Sequence, residues 1–271
     1  MAYKLGVLGK DIGYSLSPKI HQEFAKQLNY PIEYLIYDID KDPVNFIHEF
    51  FDNKGFGLNV TNPFKHIVAK EFNSDLESIN CIYGKGTKAC STDGAGLLND
   101  LESKKIDYQN MNILVYGLGG AATSILETIN SNKKIFISNR TEKKSSELIG
   151  KKNNLDKYDG EQLDLIISCA SSLDLNTLKT FEHFLLNEGG FIYDINYSND
   201  TNSKLKDLSL TKKANFHNGV GMLVEQAAEC FRLWFGKKPS AEEVKNLLNE
   251  RVKINSRSYL SFLWRNRYNN H

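Results

Sequence analysis

No stretch of this sequence approaches the roughly 18 consecutive apolar residues that a membrane-spanning helix needs. The opening Met1 to Gly13 lacks the basic segment followed by an apolar run that marks a secretory leader. The chain is therefore expected in the cytoplasm, with no membrane partner. Nor is either charge in surplus: 34 Lys and Arg face 33 Asp and Glu, a formal net charge of +1. Nothing in that balance asks for nucleic acid or an anionic surface, which leaves a small molecule as the expected partner. Cysteine is scarce too, with four in 271 residues, at positions 81, 90, 169 and 230. Their spacing is not that of a metal site, and they are too few to staple a chain of this length, so they are expected to be core thiols in a reducing compartment. Internal repeats and long low-complexity tracts are also missing.

What the sequence does contain is an alternation of short β-rich apolar runs with helical patterns, which favours an α/β fold built from parallel βα units. In the first third the runs are Tyr3 to Gly9, Ile32 to Ile39 and Gly57 to Thr61. Helical periodicity lies between them, from Pro18 to Leu28 and Pro43 to Phe51, with Ser17 expected as N-cap and Pro18 at the first helical position. A second series runs through Asn112 to Gly117, Lys134 to Asn139, Asp164 to Cys169 and Gly190 to Ile195. The seam falls near residues 100 to 110, and 271 residues suffice for two modest domains. A polar stretch around 143 to 161 reads as a helix plus exposed loop. Beyond Arg251, arginines alternate with Tyr259, Phe262, Trp264 and Tyr268, which predicts a terminal helix packing its aromatics rather than a nucleic-acid surface.

Gly117-Leu118-Gly119-Gly120-Ala121-Ala122 follows one of these strands directly and opens a helix. In that context Gly117 would make the tight turn and Gly119 would let backbone N–H groups approach a pyrophosphate. Small Ala122 would let helix and strand pack closely. By itself the motif is short, and a plain glycine-rich turn is the alternative. The end of the next strand reads Ser138-Asn139-Arg140-Thr141, with Lys143 and Lys144 beyond, where an NAD site usually has a carboxylate for the ribose 2′-hydroxyl. A carboxylate there would repel a 2′-phosphate, whereas Arg140 offers a planar cationic fork, Thr141 a hydroxyl and Lys144 further charge. NADP(H) is therefore expected over NAD, the alternative being an exposed helix start with solvated lysines.

Three further segments carry polar groups where chemistry could use them. Ser15 and Ser17 flank a helix start that could hold a carboxylate, although capping and turn formation would also explain them. The strand Gly57 to Thr61 leads through Pro63 to Lys65 in the first turn of a helix. The dipole there favours anions, so an ammonium is predisposed to release its proton; the alternative is a lysine snorkelling to water. Ser91-Thr92-Asp93-Gly94 puts a carboxylate just ahead of the seam, where it could orient Lys65 or simply make a turn.

Read in order, Ser-x-Ser-Pro, Asn-Val-Thr-x-Pro-Phe-Lys, Thr-Asp-Gly, Gly-x-Gly-Gly-Ala, Asn-Arg-Thr and Gly221-Met222-Leu223-Val224-Glu225-Gln226-Ala227-Ala228 resemble the shikimate dehydrogenase family, up to about Glu250. The resemblance implies an α/β substrate domain formed by residues 1–100 with 219–271, a Rossmann-type NADP-binding domain formed by 101–218, and an active-site cleft between them. It implies NADPH-dependent reduction of 3-dehydroshikimate to shikimate, with Lys65 and Asp93 as the catalytic pair. Ser15 and Ser17 would hold the substrate carboxylate, and Asn59, Thr61, Asn80 and Gln226 the ring hydroxyls, with Tyr197 near the substrate. Gly117, Gly119, Gly120, Ala121, Asn139, Arg140, Thr141 and Lys144 would hold the cofactor, with Gly219 and Met222 bordering the nicotinamide. No metal is implied, and the chain would act as a monomer or homodimer. The family pattern has Pro, His and Thr where this chain has Asp11, Tyr14 and Cys81. A quinate/shikimate dehydrogenase and a catalytically silent nucleotide-binding relative are the alternatives; the presence of both Lys65 and Asp93 argues against the second.

Overall fold

The computed structural model describes residues 1–151, 154–197 and 199–248, so the aromatic helix expected beyond Arg251 lies outside the described residues. The first half begins β1 (Tyr3–Gly9), α1 (Ser17–Leu28), β2 (Ile32–Asp38), α2 (Pro43–Asp52), β3 (Gly55–Val60) and α3 (Lys65–Glu71). It continues with a hairpin, β4 (Cys81–Tyr83) and β5 (Lys88–Cys90). The five strands form one sheet in the order β2-β1-β3-β4-β5. β1 pairs in parallel with β2 and β3, while β4 and β5 are antiparallel.

Two features of this half depart from the sequence-based expectation. The hairpin was not among the expected strands, because three residues on each side are too few to set up a period; it turns at Gly84, Lys85 and Gly86, all at positive φ. Ser17 does not cap α1. Leu16 occupies the cap position without a side-chain bond, and Ser17 is the first helical residue, its N–H donating to Ser15 Oγ at 3.3 Å. Ser15 thus supplies the local acceptor, and the Ser17 hydroxyl is not spent on capping.

α4 (Asp93–Ser103) leads out of the first sheet and packs between α5 (Gly120–Thr128) of the second half and α9 (Val220–Phe235), which returns to the first. Small residues permit this sandwich. A β-carbon at Gly96 would come within 2.6 Å of Gln226 Cβ on α9, and one at Gly94 would overlap Thr128 on α5. The fully buried Asp100 of α4 ties the layers together, accepting at Oδ2 from Lys104 Nζ (2.7 Å) and Tyr193 OH (2.7 Å), and at Oδ1 from Lys245 Nζ (2.8 Å). Lys245 belongs to a helical stretch over 241–248 and also pairs with Glu225 Oε1 at 2.9 Å, so no charge in the cluster is buried alone.

The second half contains β6 (Ile113–Tyr116), β7 (Ile135–Ser138), α6 (Glu142–Lys151), β8 (Leu155–Lys157), β9 (Leu163–Ser168), α7 (Leu175–His183), β10 (Leu186–Asp194), α8 (Asn199–Thr211) and β11 (Asn215–Asn218). Its six strands are all parallel, in the order β11-β10-β9-β6-β7-β8. The order reverses between β6 and β9, and such a reversal leaves a crevice at the carboxyl ends of the strands where dinucleotides bind. Ile113, Val115 and Ile167 pack one face against α5, while Leu114, Tyr116 and Ile166 pack the other against Phe181 and Phe184, as strands covered on both faces require. The loop expected near residue 155 is instead the short edge strand β8, whose mixed Leu-Asp-Lys sequence has no strand period to read.

Candidate active site

Lys65 and Asp93 open α3 and α4, and the fold brings these two helix starts together. The chain leaves β3 through Thr61-Asn62-Pro63-Phe64, with Asn62–Pro63 cis and Phe64 buried, so that Lys65 emerges beside the end of the strand. Lys65 Nζ donates to Asp93 Oδ2 at 2.6 Å, with only 13% and 7% of the two side chains exposed. The ammonium at the α3 start is therefore not left facing the helix field alone, because a carboxylate meets it in a poorly solvated position.

Asp93 is fixed from its other side. Asn80 Nδ2 donates to Asp93 Oδ1 at 2.8 Å, and lies 3.0 Å from Thr92 Oγ1 and 3.1 Å from Gln226 Oε1. Asn80 Oδ1 accepts in turn from the Thr92 backbone N–H at 2.8 Å. Asn59 is equally committed: its Nδ2 donates to Asn80 O and Cys230 Sγ, each at 3.1 Å, and its Oδ1 accepts from Tyr34 OH at 2.8 Å. Only a lone pair on Oδ1 remains, so Asn59 can meet a ligand hydroxyl as acceptor but not as donor. Behind it, His21 stacks on Tyr34 with ring centroids 4.6 Å apart, and burial pushes the imidazole down to about 3, against weaker opposition from Asn59. His21 is therefore a neutral, apolar-side support.

A cavity of about 190 Å³ opens over this network. Ser15, Ser17, Asn59, Thr61, Lys65, Asn80, Asp93, Tyr197 and Gln226 all line it, together with Gly219 and Met222. The last two, expected to border the nicotinamide, form a wall of the cavity where α9 begins. Tyr14 stands at the mouth, 72% exposed, near Tyr197, whose phenol burial and Tyr14 push up. Asp11 shapes the preceding loop. It adopts φ 55° and donates its N–H to Asp38 Oδ1 at 2.8 Å, neither of which the family's proline could do.

A groove of about 530 Å³ adjoins the cavity. It contains Gly117, Gly119, Gly120, Ala121, Asn139, Arg140, Thr141 and Lys144, so the expected phosphate turn and the expected 2′-phosphate cluster lie along one space. Gly117 has φ 85°, and a β-carbon at Gly119 would project into open space at the start of α5. A β-carbon at Gly120 would meet Ser78 Oγ at 2.6 Å, so this glycine serves packing between the halves. Asn139 Oδ1 accepts from Leu118 N–H at 3.3 Å while its Nδ2 donates to Thr141 O at 3.1 Å, clamping the glycine turn to the Arg140 turn. Cys169 also faces the groove, its thiol pushed up by burial and by the carboxylates of Asp194 and Asp93. The residues fit a phosphorylated dinucleotide: an open helix N-terminus for the pyrophosphate, a cationic fork beyond β7, and no carboxylate among the described residues that line the groove. Lys65, Ala121 and Ile195 line both spaces, so Lys65 stands where cavity and groove meet.

Sequence reasoning did not identify Tyr34, Thr92 or Cys230 as supports of the site. Thr92 had a signal, since it adjoins Asp93 within a motif. Tyr34 and Cys230 had none, since each reaches Asn59 only through tertiary packing.

Known proteins were compared with this chain. The model of the shikimate dehydrogenase substrate binding domain matches residues 7–80, and that of the shikimate 5′-dehydrogenase C-terminal domain matches residues 219–248. A shikimate dehydrogenase (NADP(+)) of Chromobacterium violaceum is 32% identical over 273 residues, covering 92% of this chain and 99% of the relative. The crystal structure of an Ael1 enzyme from Pseudomonas putida superposes with a TM-score of 0.76 at 26% identity, covering 91% and 98% of the two chains. That of shikimate 5-dehydrogenase from Thermus thermophilus, in complex with NADP(H) and shikimate, has a TM-score of 0.77 at 22% identity, covering 90% and 97%.

Proposed function

The chain belongs to the shikimate dehydrogenase family, and from its site we infer an NADP-dependent enzyme that reduces 3-dehydroshikimate to shikimate reversibly, with Lys65 and Asp93 as its catalytic pair. The observation that carries this reading is the position of the Lys65–Asp93 ion pair at the junction of a small polar cavity and a dinucleotide groove. A hydride transfer with proton transfer needs its acid at that junction and nowhere else.

The glycine turn, Asn139, Arg140, Thr141 and Lys144 would hold NADP(H), which when bound would supply the hydride for the ketone carbon. Lys65 stabilises the charge that develops on the carbonyl oxygen and donates a proton to it, and in the reverse direction accepts that proton. Asp93 keeps the ammonium oriented, and its remaining lone pairs accept from a ring hydroxyl. Ser15 and Ser17 hold the substrate carboxylate beside the start of α1, with Thr61, Asn80, Gln226 and the acceptor oxygen of Asn59 on the hydroxyls and Tyr197 closing the wall. The cavity volume of about 190 Å³ suits one small ring and excludes a dinucleotide.

The reading extends to organisation. Residues 1–100 with 219–248 form a discontinuous substrate domain around 101–218, the rest of the expected 219–271 lying outside the described residues; the packing of α9 on α1 after β11 completes the second sheet supports this division. It also extends to a cytoplasmic monomer or homodimer, in keeping with free cysteines and with no described helix long and apolar enough to cross a membrane. The test follows absorbance of reduced cofactor with shikimate or quinate and NADP or NAD. Fast NADP reduction with shikimate is the expected result; turnover confined to quinate would reassign the substrate, and none with either would leave a silent relative.

A further inference from the structure

Three of the four cysteines lie together under the substrate cavity, a cluster the proposed reaction does not use. Cys81 and Cys90 are directly opposed across the β4–β5 hairpin, and Cys230 of α9 belongs to the same buried cluster. Directly opposed residues of an antiparallel pair have Cα atoms about 4.5–5.5 Å apart, inside the roughly 4.4–6.8 Å window for a disulfide. Cys230 also neighbours Cys81, but its Sγ is engaged by Asn59 Nδ2 at 3.1 Å and Thr92 Oγ1 at 3.3 Å, whereas Cys90 alone opposes Cys81 across the strand pair.

The two thiols are not equivalent. Cys81 is fully buried, and burial together with its two thiol neighbours pushes it up. Cys90 is partly exposed; the hydrogen bond with Cys81 holds it below 9.0 and the Arg232 guanidinium helps, against burial and Glu229. An accessible, thiolate-prone sulfur backed by a buried thiol is the arrangement of an oxidisable cysteine with its resolving partner.

We propose that Cys90 and Cys81 form a reversible disulfide under peroxide, and that this bond switches the active site off. The Cys90 thiolate attacks a peroxide oxygen: an S–O bond forms, the O–O bond breaks, and the other oxygen leaves as water after taking a proton. Cys81 sulfur then attacks the sulfenic acid sulfur, forming S–S and breaking S–O, and a second water leaves with the Cys81 proton. Two thiols are oxidised by two electrons and one peroxide is reduced to two waters; a dithiol reverses the bond by exchange.

The consequence for activity rests on the reading of Asn80 and Asp93 as active-site groups. Asn80 directly precedes Cys81, its N–H donates to Cys90 O at 3.2 Å, and Thr92 and Asp93 follow Cys90 by two and three residues. The hairpin base therefore carries both the carboxylate and the amide that orients it. A disulfide fixes the Cβ separation near 3.8 Å and the dihedral near ±90°, which two packed thiols need not satisfy. Closing it displaces Asn80 and Asp93 together, and a displacement on the order of 1 Å costs up to about 100-fold in rate.

The full chain is treated with hydrogen peroxide, then mapped by peptide mass spectrometry and assayed with shikimate and NADP before and after dithiothreitol. The expected result is a Cys81–Cys90 linked peptide, a fall in kcat of about ten-fold or more that dithiothreitol reverses, and loss of both effects in Cys90→Ser. A map without that peptide, a Cys81–Cys230 bond in its place, the Cys81–Cys90 bond with unchanged kcat, or equal sensitivity in Cys90→Ser would overturn the proposal. The peptide map does not depend on turnover, so a failure of the activity assignment is distinguishable from a failure of the disulfide.

Discussion

Asn80 holds the oxygen of Asp93 that Lys65 does not, donating from Nδ2 to Oδ1 at 2.8 Å while Oδ2 accepts from Lys65 at 2.6 Å. The carboxylate cannot rotate without losing one of the two. Its orientation is set by a residue on the far side of the β4–β5 hairpin, locked in turn by the Thr92 backbone.

Asn80→Ala should therefore lower kcat by about 10–100-fold with thermal stability changed far less than turnover, since charge-assisted bonds of this kind contribute about 1.5–3 kcal/mol. Steady-state kinetics beside a melting curve checks it. A variant that changes only KM would reduce Asn80 to a substrate contact.

Among the described residues that line the groove, Arg140 is the one arginine. Replacing it with alanine should weaken NADP by about 10–100-fold in KM and leave NAD almost unchanged, because the lost partner is the 2′-phosphate alone. Equal losses for both cofactors would mean that Arg140 serves the pyrophosphate or the fold.

His21 gives a pH prediction. Its ring is buried among Phe24, Tyr34, Phe231 and Trp234, and burial lowers it from 6.5 to about 3. The unfolded chain then binds the proton and the folded chain does not, so stability falls as pH drops through 6.5 and goes on falling toward about 3. The slope from this group is about 1.4 kcal/mol per pH unit. Urea unfolding of wild type and His21→Phe between those limits should give curves that converge or cross as pH falls; parallel curves would mean the ring is protonated in place.

Much of this was legible in the sequence because each motif sits at the end of a strand. The Gly117 turn follows β6, Arg140 follows β7, and Thr61 to Lys65 follows β3, and parallel strands bring such ends to one side of a sheet. The short strands β4, β5, β8 and β11, of three or four residues, carry no period and were missed. Equally hidden were contacts made only by the finished fold. Tyr34 of β2 reaches Asn59 of β3 across β1, and Lys245 reaches Asp100 from the far end of the described chain. The misassigned cap at Ser17 has a local cause: the helix begins one residue earlier, with Leu16 at the cap position and the Ser17 N–H taken by Ser15 Oγ.

We assign the proton transfer to Lys65, at the junction of the two spaces. The measurement is kcat of Lys65→Ala with shikimate and NADP, beside NADPH binding by fluorescence in the same variant. The expected result is a loss of about 10²–10⁴-fold in kcat with cofactor affinity close to wild type. Turnover within a few-fold of wild type would contradict it and move the acid to another residue of the cavity.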